Sequence, residues 1–323
     1  MSELQGEGLV GLTEIEAAAR RLAGVAIRTP LLPADAVSEA ADAEVRLKCE
    51  NLQRAGSFKI RGAFNFVSQL SDEQTANGII TYSSGNHAQA VALAGRLRGI
   101  RAVVVMPTDA PAVKRHGAER LGAEIHFAGT TSVERMEKAQ ELAEAQGLAM
   151  VPPFDHRHII AGQGTVGLEI AREWEDVDVV LAPIGGGGLL SGIAAAVKRL
   201  LPQVRVVGVE PEGAASMRAA LDAGAPTLLG EVDTIADGLK PVIAGELTFE
   251  HVRSLVDDVV TVDDDTIRRA AALLVGRQKL VVEYSGAATT AALLAGRGGA
   301  AGKRVAAVVS GGNLDPSLLA QLG

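Results

Sequence analysis

From Gly78 onward, short runs rich in β-branched residues alternate with longer segments of helical pattern. GIITYSS, RAVVVMP and EIHFAG are each followed by a helical stretch, and the rhythm returns with a helix at about 159–174, VDVVLAPIGGGG, RVVGVEPEG and RVAAVVSGGN. Strands separated by helices pair in parallel through right-handed crossovers. The sequence therefore predicts an α/β protein with two open, mainly parallel, twisted sheets flanked by helices.

Composition and charge limit the function classes. A chain of 323 residues with 47% apolar residues is long enough for two domains of roughly 150 residues each. The net charge of −8 and the scattered basic residues exclude nucleic acid and an anionic membrane as main partners, which leaves a small molecule. The single cysteine, the lack of a leader pattern and the lack of an apolar run of about 18 residues predict a cytoplasmic location.

Two turns after predicted strands have the composition of anion sites. Open α/β sheets bind ligands beyond the carboxyl ends of their strands. In SSGNHAQA, free N–H groups at the start of a helix suit a carboxylate or phosphate, although an ordinary helix cap explains the same residues; its polar residues are Ser83, Ser84, Asn86 and His87. PIGGGGLLSG brings four glycines to the start of a helix, and its residues are Gly185, Gly186, Gly187, Gly188 and Leu189.

The glycine run predicts a phosphate cup, with a purely structural turn as the alternative. No Gly-Lys-Ser/Thr follows it and no GxGxxG fits it, so the phosphate belongs to a ligand other than ATP or NAD. A third turn, VVSGGN, presents the neutral hydroxyl of Ser310 after the last strand, where a cap is the alternative.

The stretch SFKIRGA places Lys59 between Phe58 and Ile60, with Arg61 close by. Lys59 is either a solvated cation on an ordinary helix or a reactive amine. Desolvation beside Phe58 and the positive charge of Arg61 are both expected to lower the pKa of Lys59.

Taken in order, SFKIRGA, SSGNHAQA, GGGGLLSG and SGGN resemble the fold-type II pyridoxal-phosphate enzymes, whose fold is like that of tryptophan synthase β. The match is to the threonine/serine dehydratase and serine racemase group, and it runs from about Thr29 to Pro316. The resemblance implies a large domain formed by residues 1–76 and 154–323, a small domain at 77–153, and an active site in the cleft between them. It also implies a homodimer.

The resemblance implies a role for each motif. Lys59, beside Phe58, forms the Schiff base with pyridoxal 5′-phosphate, and Ser84 lies on the opposite face of the cofactor. Asn86 bonds the ring oxygen O3′, Gly185 to Gly188 with Leu189 hold the phosphate, and Ser310 faces the pyridine nitrogen. The substrate carboxylate lies on the turn from Ser83 to His87. Glu283 lies near the pyridine side, unless it is simply an acidic residue at a helix start.

The implied reaction is β-elimination of L-threonine or L-serine to 2-oxobutanoate or pyruvate plus ammonia. A hydroxyl opposite the ring nitrogen makes a weaker electron sink than a carboxylate would, which favours loss of a leaving group from Cβ. Racemisation is the alternative, since Ser84 is able to move a proton on the other face. A third possibility is dehydration of another β-hydroxy amino acid such as 3-hydroxyaspartate. Arg135 would meet its second carboxylate, unless Arg135 is a solvated charge paired with neighbouring acids on its helix, which is the favoured interpretation of this residue.

The resemblance further implies a Mg²⁺ or other hard-cation site at Glu210, the Ala214 carbonyl and Ser216. Racemases carry an aspartate where this chain has Ser216, which leaves open a monovalent ion or no ion.

Overall fold

The computed structural model describes residues 8–83, 85–110 and 112–321. Its strands are β1 (Leu31–Pro33), β2 (Glu44–Cys49), β3 (Ile79–Tyr82), β4 (Ala102–Met106), β5 (Ala123–Phe127), β6 (Ala149–Met150), β7 (Val179–Pro183), β8 (Arg205–Pro211), β9 (Asp258–Val262) and β10 (Arg304–Val309). Its α-helices are α1 (Leu12–Arg21), α2 (Asp35–Ala41), α3 (Lys59–Val67), α4 (Asp72–Thr75), α5 (Asn86–Arg98), α6 (Ala112–Arg120), α7 (Ser132–Gln146), α8 (Arg157–Glu173), α9 (Gly188–Leu200), α10 (Ser216–Ala223), α11 (Glu246–Leu255), α12 (Asp264–Gly276) and α13 (Tyr284–Leu294).

The strands form two separate sheets. A six-stranded sheet has the order β1-β2-β10-β7-β8-β9, and a four-stranded sheet has the order β5-β4-β3-β6. Only β1 runs antiparallel to its neighbour; the other pairings are parallel, and Val305 of β10 lies opposite both Val45 and Val179. The predicted α/β class with two open, mainly parallel sheets is confirmed.

Helices cover both faces of the sheets, so the central strands read as continuous apolar runs. Every residue of β4 and of β7 is buried. The helix predicted at about 159–174 is α8. It crosses α9 at close range because both carry glycine there: a Cβ on Gly192 would lie 2.4 Å from the backbone nitrogen of Gly164.

The helix α3 lies between the two sheets. Its buried residues Ile60 and Phe64 share a core with Ile79 of β3, Val91 of α5 and Ile159 of α8. The first residue of this helix is Lys59, so the packing fixes the lysine at the junction of the two sheets.

The four strands β3–β6 lie between residues 79 and 150, within the range predicted for the small domain. The domain boundaries themselves stay a prediction. Among the described residues, no helix combines the length and the apolar character needed to span a membrane.

Candidate active site

The predicted site residues converge at the carboxyl ends of strands from both sheets. Ser83 follows β3, the glycine loop (Gly185–Gly188) follows β7, and Ser310 follows β10. The segment before Lys59 lies against the last of these turns, since the Phe58 N–H donates to the Ser310 carbonyl at 3.2 Å.

Lys59 is half-buried, and its Nζ donates to the Pro153 carbonyl at 2.9 Å. The ring of Phe58 lies 5.3 Å from Nζ, measured to the ring centroid. Burial lowers the pKa of Lys59 to about 8, because the charged form loses hydration. The amine is therefore neutral far more often than that of a surface lysine, as attack on an aldehyde requires.

Arg61 does not lower the pKa of Lys59, contrary to the sequence-based expectation, because its guanidinium points away from the amine. It donates to both oxygens of Glu50 at 2.8 Å and to Glu169 at 2.6 and 3.0 Å. Lys48 also pairs with Glu169, at 2.6 Å. Lys48, Glu50, Arg61 and Glu169 make up a charge-balanced group, the buried charge cluster, which holds the first turn of α3 through Arg61.

The glycine loop is shaped by its neighbours. Gly187 has φ +92°, which favours glycine, and a Cβ on Gly186 would lie 2.3 Å from the ring of Phe154. Within the described part of the chain, no hydrogen-bond acceptor meets the N–H groups that open α9, which belong to Gly187, Gly188 and Leu189. Free N–H groups at a helix start are the donors that a phosphate needs.

Ser310 is buried at the end of β10. Its hydroxyl lies 3.5 Å from the Ser285 carbonyl, a long contact that leaves it able to bond a ligand. The Ser285 hydroxyl accepts the Gly238 N–H at 2.8 Å, and the Gly238 carbonyl lies against Gly185. Ser310 and the glycine loop are thus joined through one intervening segment.

Asn86, Glu283 and Asn313 form a hydrogen-bonded row. Asn86 Nδ2 donates to Glu283 Oε1 at 2.5 Å, and Asn313 Nδ2 donates to Asn86 Oδ1 at 2.8 Å. Burial raises the pKa of Glu283 to about 7, although the positive charge of Lys114 opposes the rise. Glu283 Oε2 has no hydrogen-bond partner among the described groups. Glu283 is therefore a buried acid rather than a solvated residue at a helix start.

Two hydrogen bonds stabilise the turn after β3. The Gly85 N–H donates to the Ser83 hydroxyl at 3.2 Å, and His87 Nε2 lies 3.3 Å from the Val151 carbonyl, so Nε2 carries the hydrogen. Burial and then the charge of Lys59 lower the pKa of His87 to about 3, which keeps the ring neutral. Ser84 lies outside the described residues.

An ion pair that no sequence motif predicts lies against this turn. Lys114 of α6 pairs with Asp237, and a Cβ on Gly85 would lie 3.0 Å from Lys114 Cδ. Lys114 is buried, and although burial lowers its pKa, Asp237 and Glu283 raise the pKa above the usual value. The pair links the four-stranded sheet to the segment that covers Gly185. A lone lysine in PAVKRHG carries no sequence signal of this role.

The three predicted cation ligands lie around the start of α10. Glu210 accepts the N–H groups of Met217 and Arg218, each at 2.8 Å, and burial raises its pKa to about 7 in spite of these bonds. The Ser216 hydroxyl is buried without a hydrogen-bond partner among the described groups, and Ala214 closes the preceding turn. No group of three or more His, Cys, Asp or Glu suited to a metal occurs in the described ranges.

These residues fit pyridoxal phosphate. Lys59 offers an amine of lowered pKa for the aldehyde, the glycine loop offers free N–H groups for the phosphate, and Ser310 offers a neutral hydroxyl for the ring nitrogen. A Cβ at Gly186 or Gly187 would collide with Phe154 or Thr248, so the loop admits only backbone at these positions.

Comparisons with known proteins agree. The family model described as pyridoxal-phosphate dependent enzyme matches residues 22–311. The L-threonine ammonia-lyase of Thermotoga maritima is 44% identical over 79% of this chain and 64% of its own length. The catabolic L-threonine dehydratase of Escherichia coli K12 is 44% identical over 78% of this chain and 77% of its own length. The chain thus spans less than two thirds of the first of these relatives.

A solved structure shows the same fold. The structure of maize serine racemase superposes with a TM-score of 0.93 at 38% identity, and the match covers 97% of this chain and 96% of that one. The chain therefore belongs to the family of pyridoxal-phosphate-dependent enzymes.

Proposed function

We propose that this chain is an ammonia-lyase that converts L-threonine, L-serine or both to a 2-oxo acid, 2-oxobutanoate or pyruvate, plus ammonia, by eliminating the β-hydroxyl group. The relatives named as a threonine ammonia-lyase and a threonine dehydratase support the proposal. One observation carries it: the amine of lowered pKa at Lys59 and the neutral hydroxyl of Ser310 lie on backbone segments bonded to each other.

Pyridoxal phosphate, when bound, supplies an electron sink for negative charge at the substrate α-carbon. Ser310 keeps that sink weak, because a hydroxyl does not hold a proton on the ring nitrogen as a carboxylate would. The expected outcome is loss of a leaving group from Cβ rather than a long-lived carbanion.

Protein groups supply the remaining steps. The N–H groups at the start of α5 bind the substrate carboxylate, with Ser83 and His87 beside them. Lys59 in its neutral form removes the α-proton. In the net reaction the α-proton and the β-hydroxyl leave as water, and the released enamine takes up water and loses ammonia. The half-buried position of Lys59 keeps bulk water from competing for this proton.

A substrate panel tests the proposal. Purified holoenzyme is incubated with L-threonine, L-serine and L-alanine, and 2-oxo acid and ammonia are measured. L-Alanine is the matched control because it binds with the same groups but has no leaving group. We expect 2-oxo acid from threonine or serine and none from alanine. Absence of 2-oxo acid from all three substrates would refute the proposed function.

Serine racemisation is the second candidate, and the likeness to maize serine racemase favours it. The predicted second base, Ser84, lies outside the described residues. Measuring the D-isomer in the same incubations separates the two reactions. D-Serine formed faster than pyruvate would reverse the ranking. Ser84→Ala is expected to abolish racemisation and spare much of the elimination.

3-Hydroxyaspartate belongs in the same panel. Arg135 would meet its second carboxylate, as the sequence suggests. The Nη1 of Arg135 donates to the Thr130 carbonyl at 3.0 Å, while its Nε has no hydrogen-bond partner among the described groups. Arg135→Gln is expected to lower turnover of 3-hydroxyaspartate and to leave that of L-threonine unchanged. Equal loss with both substrates would contradict this role.

Cation binding by Glu210, Ala214 and Ser216 stays a proposal. A cation would take the Glu210 oxygens in their charged form and offset the burial that raises their pKa. Mg²⁺ or Ca²⁺ is then expected to raise the melting temperature of the wild type and not of Glu210→Gln. An equal rise in both proteins, or in neither, would contradict the site.

A homodimer is proposed from an apolar patch on the six-stranded sheet side. Ile27, Leu52 and Val281 are 43%, 48% and 52% exposed. They lie together, because Gln53 bonds the backbone of Ile27 and Asn51 donates to the Val281 carbonyl. Leu52→Glu is expected to convert a dimer to a monomer in sedimentation velocity. A wild-type monomer would contradict the proposal.

The cytoplasmic location likewise stays a prediction, to be tested by cell fractionation.

A further inference from the structure

We propose that Thr248 and Asp155 are positioning residues for the cofactor phosphate: they fix the glycine loop so that its N–H groups face the anion. The inference rests on the proposed placement of the phosphate at Gly185–Gly188. Neither residue belongs to a glycine-rich or lysine motif, and Thr248 lies about 60 residues beyond the loop in the chain.

Thr248 contacts the glycine loop directly. It is fully buried in the first turn of α11, and its hydroxyl donates to the Gly186 carbonyl at 2.7 Å, with the Gly245 carbonyl further away at 3.1 Å. Its Cβ also lies against Gly187, where an added Cβ would come within 2.8 Å. One side chain therefore restrains two consecutive residues of the loop.

The hydrogen bond sets the direction of an amide. The carbonyl of Gly186 and the N–H of Gly187 belong to one planar peptide group and point in opposite directions. Holding the carbonyl toward α11 therefore turns the Gly187 N–H away from α11. That N–H has no acceptor in the described part of the chain, as expected of a donor kept for a ligand.

Asp155 fixes the position of Thr248. Gly245, the cap residue of α11, has no side chain, and Asp155 takes over the cap by accepting the N–H groups of Glu246 and Thr248, each at 3.0 Å. A Cβ on Gly245 would lie 2.3 Å from the carboxyl carbon of Asp155, so glycine is required there.

The segment that carries Asp155 also touches the loop and the lysine. The ring of Phe154 packs against Gly186, and the Pro153 carbonyl accepts the Lys59 amine. Pro153 to Asp155 thus joins the amine, the loop and α11. The loop is held from one side by Phe154 and from the other by Thr248.

The test compares two ligands that differ only in the phosphate. Cofactor-free wild type, Thr248→Val and Thr248→Ser are titrated with pyridoxal 5′-phosphate and with pyridoxal by equilibrium dialysis. Valine keeps the shape and loses the hydroxyl. We expect Thr248→Val to weaken binding of the phosphate ester by about five- to tenfold, the effect of one hydrogen bond, and to leave pyridoxal binding within about twofold. Thr248→Ser is expected to stay within about twofold of wild type for both.

Two further variants separate the role of Thr248 from a general effect of losing a buried hydroxyl and test Asp155 in the same way. Thr289→Val removes an equally buried hydroxyl that bonds the Val308 carbonyl at 3.0 Å, and it is expected to bind both ligands as wild type does. Asp155→Asn leaves one acceptor oxygen for two N–H groups and is expected to show the selective loss of Thr248→Val. Thr248→Val binding the phosphate ester as tightly as wild type, or losing both ligands equally, would overturn the inference. Failure of the wild type itself to bind the cofactor would instead refute the proposed site.

Discussion

Replacing Arg61 by methionine is expected to destabilise the protein by about 3–5 kcal/mol, because it leaves the carboxylate of Glu50 buried without its cation. The five N–H groups of Arg61 lie within hydrogen-bond distance of six acceptor atoms: two of Glu50, two of Glu169, and one each of Thr165 and the Ile27 carbonyl. The buried charge cluster holds two positive and two negative groups, so the substitution leaves it with a net charge of −1.

The stability lost in Arg61→Met is expected to increase with pH, because the titrating group is the carboxyl of Glu50. Burial alone would raise the pKa of Glu50, but the charge and hydrogen bonds of Arg61 outweigh it and lower that pKa below 4.5. In the wild type this pairing stabilises the fold above pH 4.5, and the effect is lost as the pH falls. Without Arg61, burial raises the pKa of Glu50 and the carboxyl destabilises the fold as the pH rises. The gap between the two proteins should therefore widen from pH 5 to pH 8.

Thermal unfolding followed by circular dichroism measures this gap. For 323 residues, 4 kcal/mol corresponds to a shift in melting temperature of about 6 °C. Arg101→Met is the matched control, since the Arg101–Glu124 pair at 2.6 Å is nearly half exposed and its loss should cost less than about 1 kcal/mol. Adding Glu50→Gln to Arg61→Met should recover stability. Equal losses for Arg61→Met and Arg101→Met, or a loss independent of pH, would refute the reasoning.

Substitutions at three other positions test the site. Lys59→Met should stabilise the cofactor-free protein by roughly 3 kcal/mol at pH 7, because a lysine whose pKa is lowered to about 8 costs stability below that pH. The difference should shrink as the pH rises toward 10.5, and no difference in melting temperature at pH 7 would count against the lowered pKa. Ser310→Asp should slow 2-oxo acid release from L-threonine by at least about tenfold, because a carboxylate favours a protonated ring nitrogen. Ser310→Ala should slow this release less than Ser310→Asp does. The opposite order of the two rates would contradict the role of the hydroxyl. Lys114→Met should raise KM for L-threonine more than it lowers kcat, because Asp237 and Glu283 lose the positive charge of Lys114. An unchanged KM would show that the Lys114–Asp237 ion pair does not contribute to substrate binding.

The sequence pattern was sufficient for the fold class because strands buried on both faces read as unbroken apolar runs. The runs RAVVVMP and VDVVLAP became β4 and β7. Lys59, the glycine loop and Ser310 were predicted because their motifs, taken in order, resemble a known family; SFKIRGA alone would not have singled out Lys59. The structure brings them together through short backbone bonds, such as that from Phe58 to Ser310.

The directions of individual side chains could not be predicted from the sequence. Arg61 lies only two residues after Lys59, yet these two helical steps, about 200° of rotation, turn it toward Glu50 and Glu169. The partnership of Lys114 with Asp237 depends on how the two sheets approach each other. Thr248 is a single hydroxyl in an amphipathic helix. Such contacts between distant segments leave no periodic or compositional trace.

Reductive trapping shows directly whether Lys59 carries the cofactor. Purified holoenzyme is reduced with sodium borohydride, digested, and analysed by tandem mass spectrometry, with Lys59→Ala treated in parallel. We expect a pyridoxyl mass on the peptide that contains Lys59 and none in the variant. The same mass on Lys48, Lys114 or another lysine, or no adduct on a protein that still releases 2-oxo acid, would contradict it.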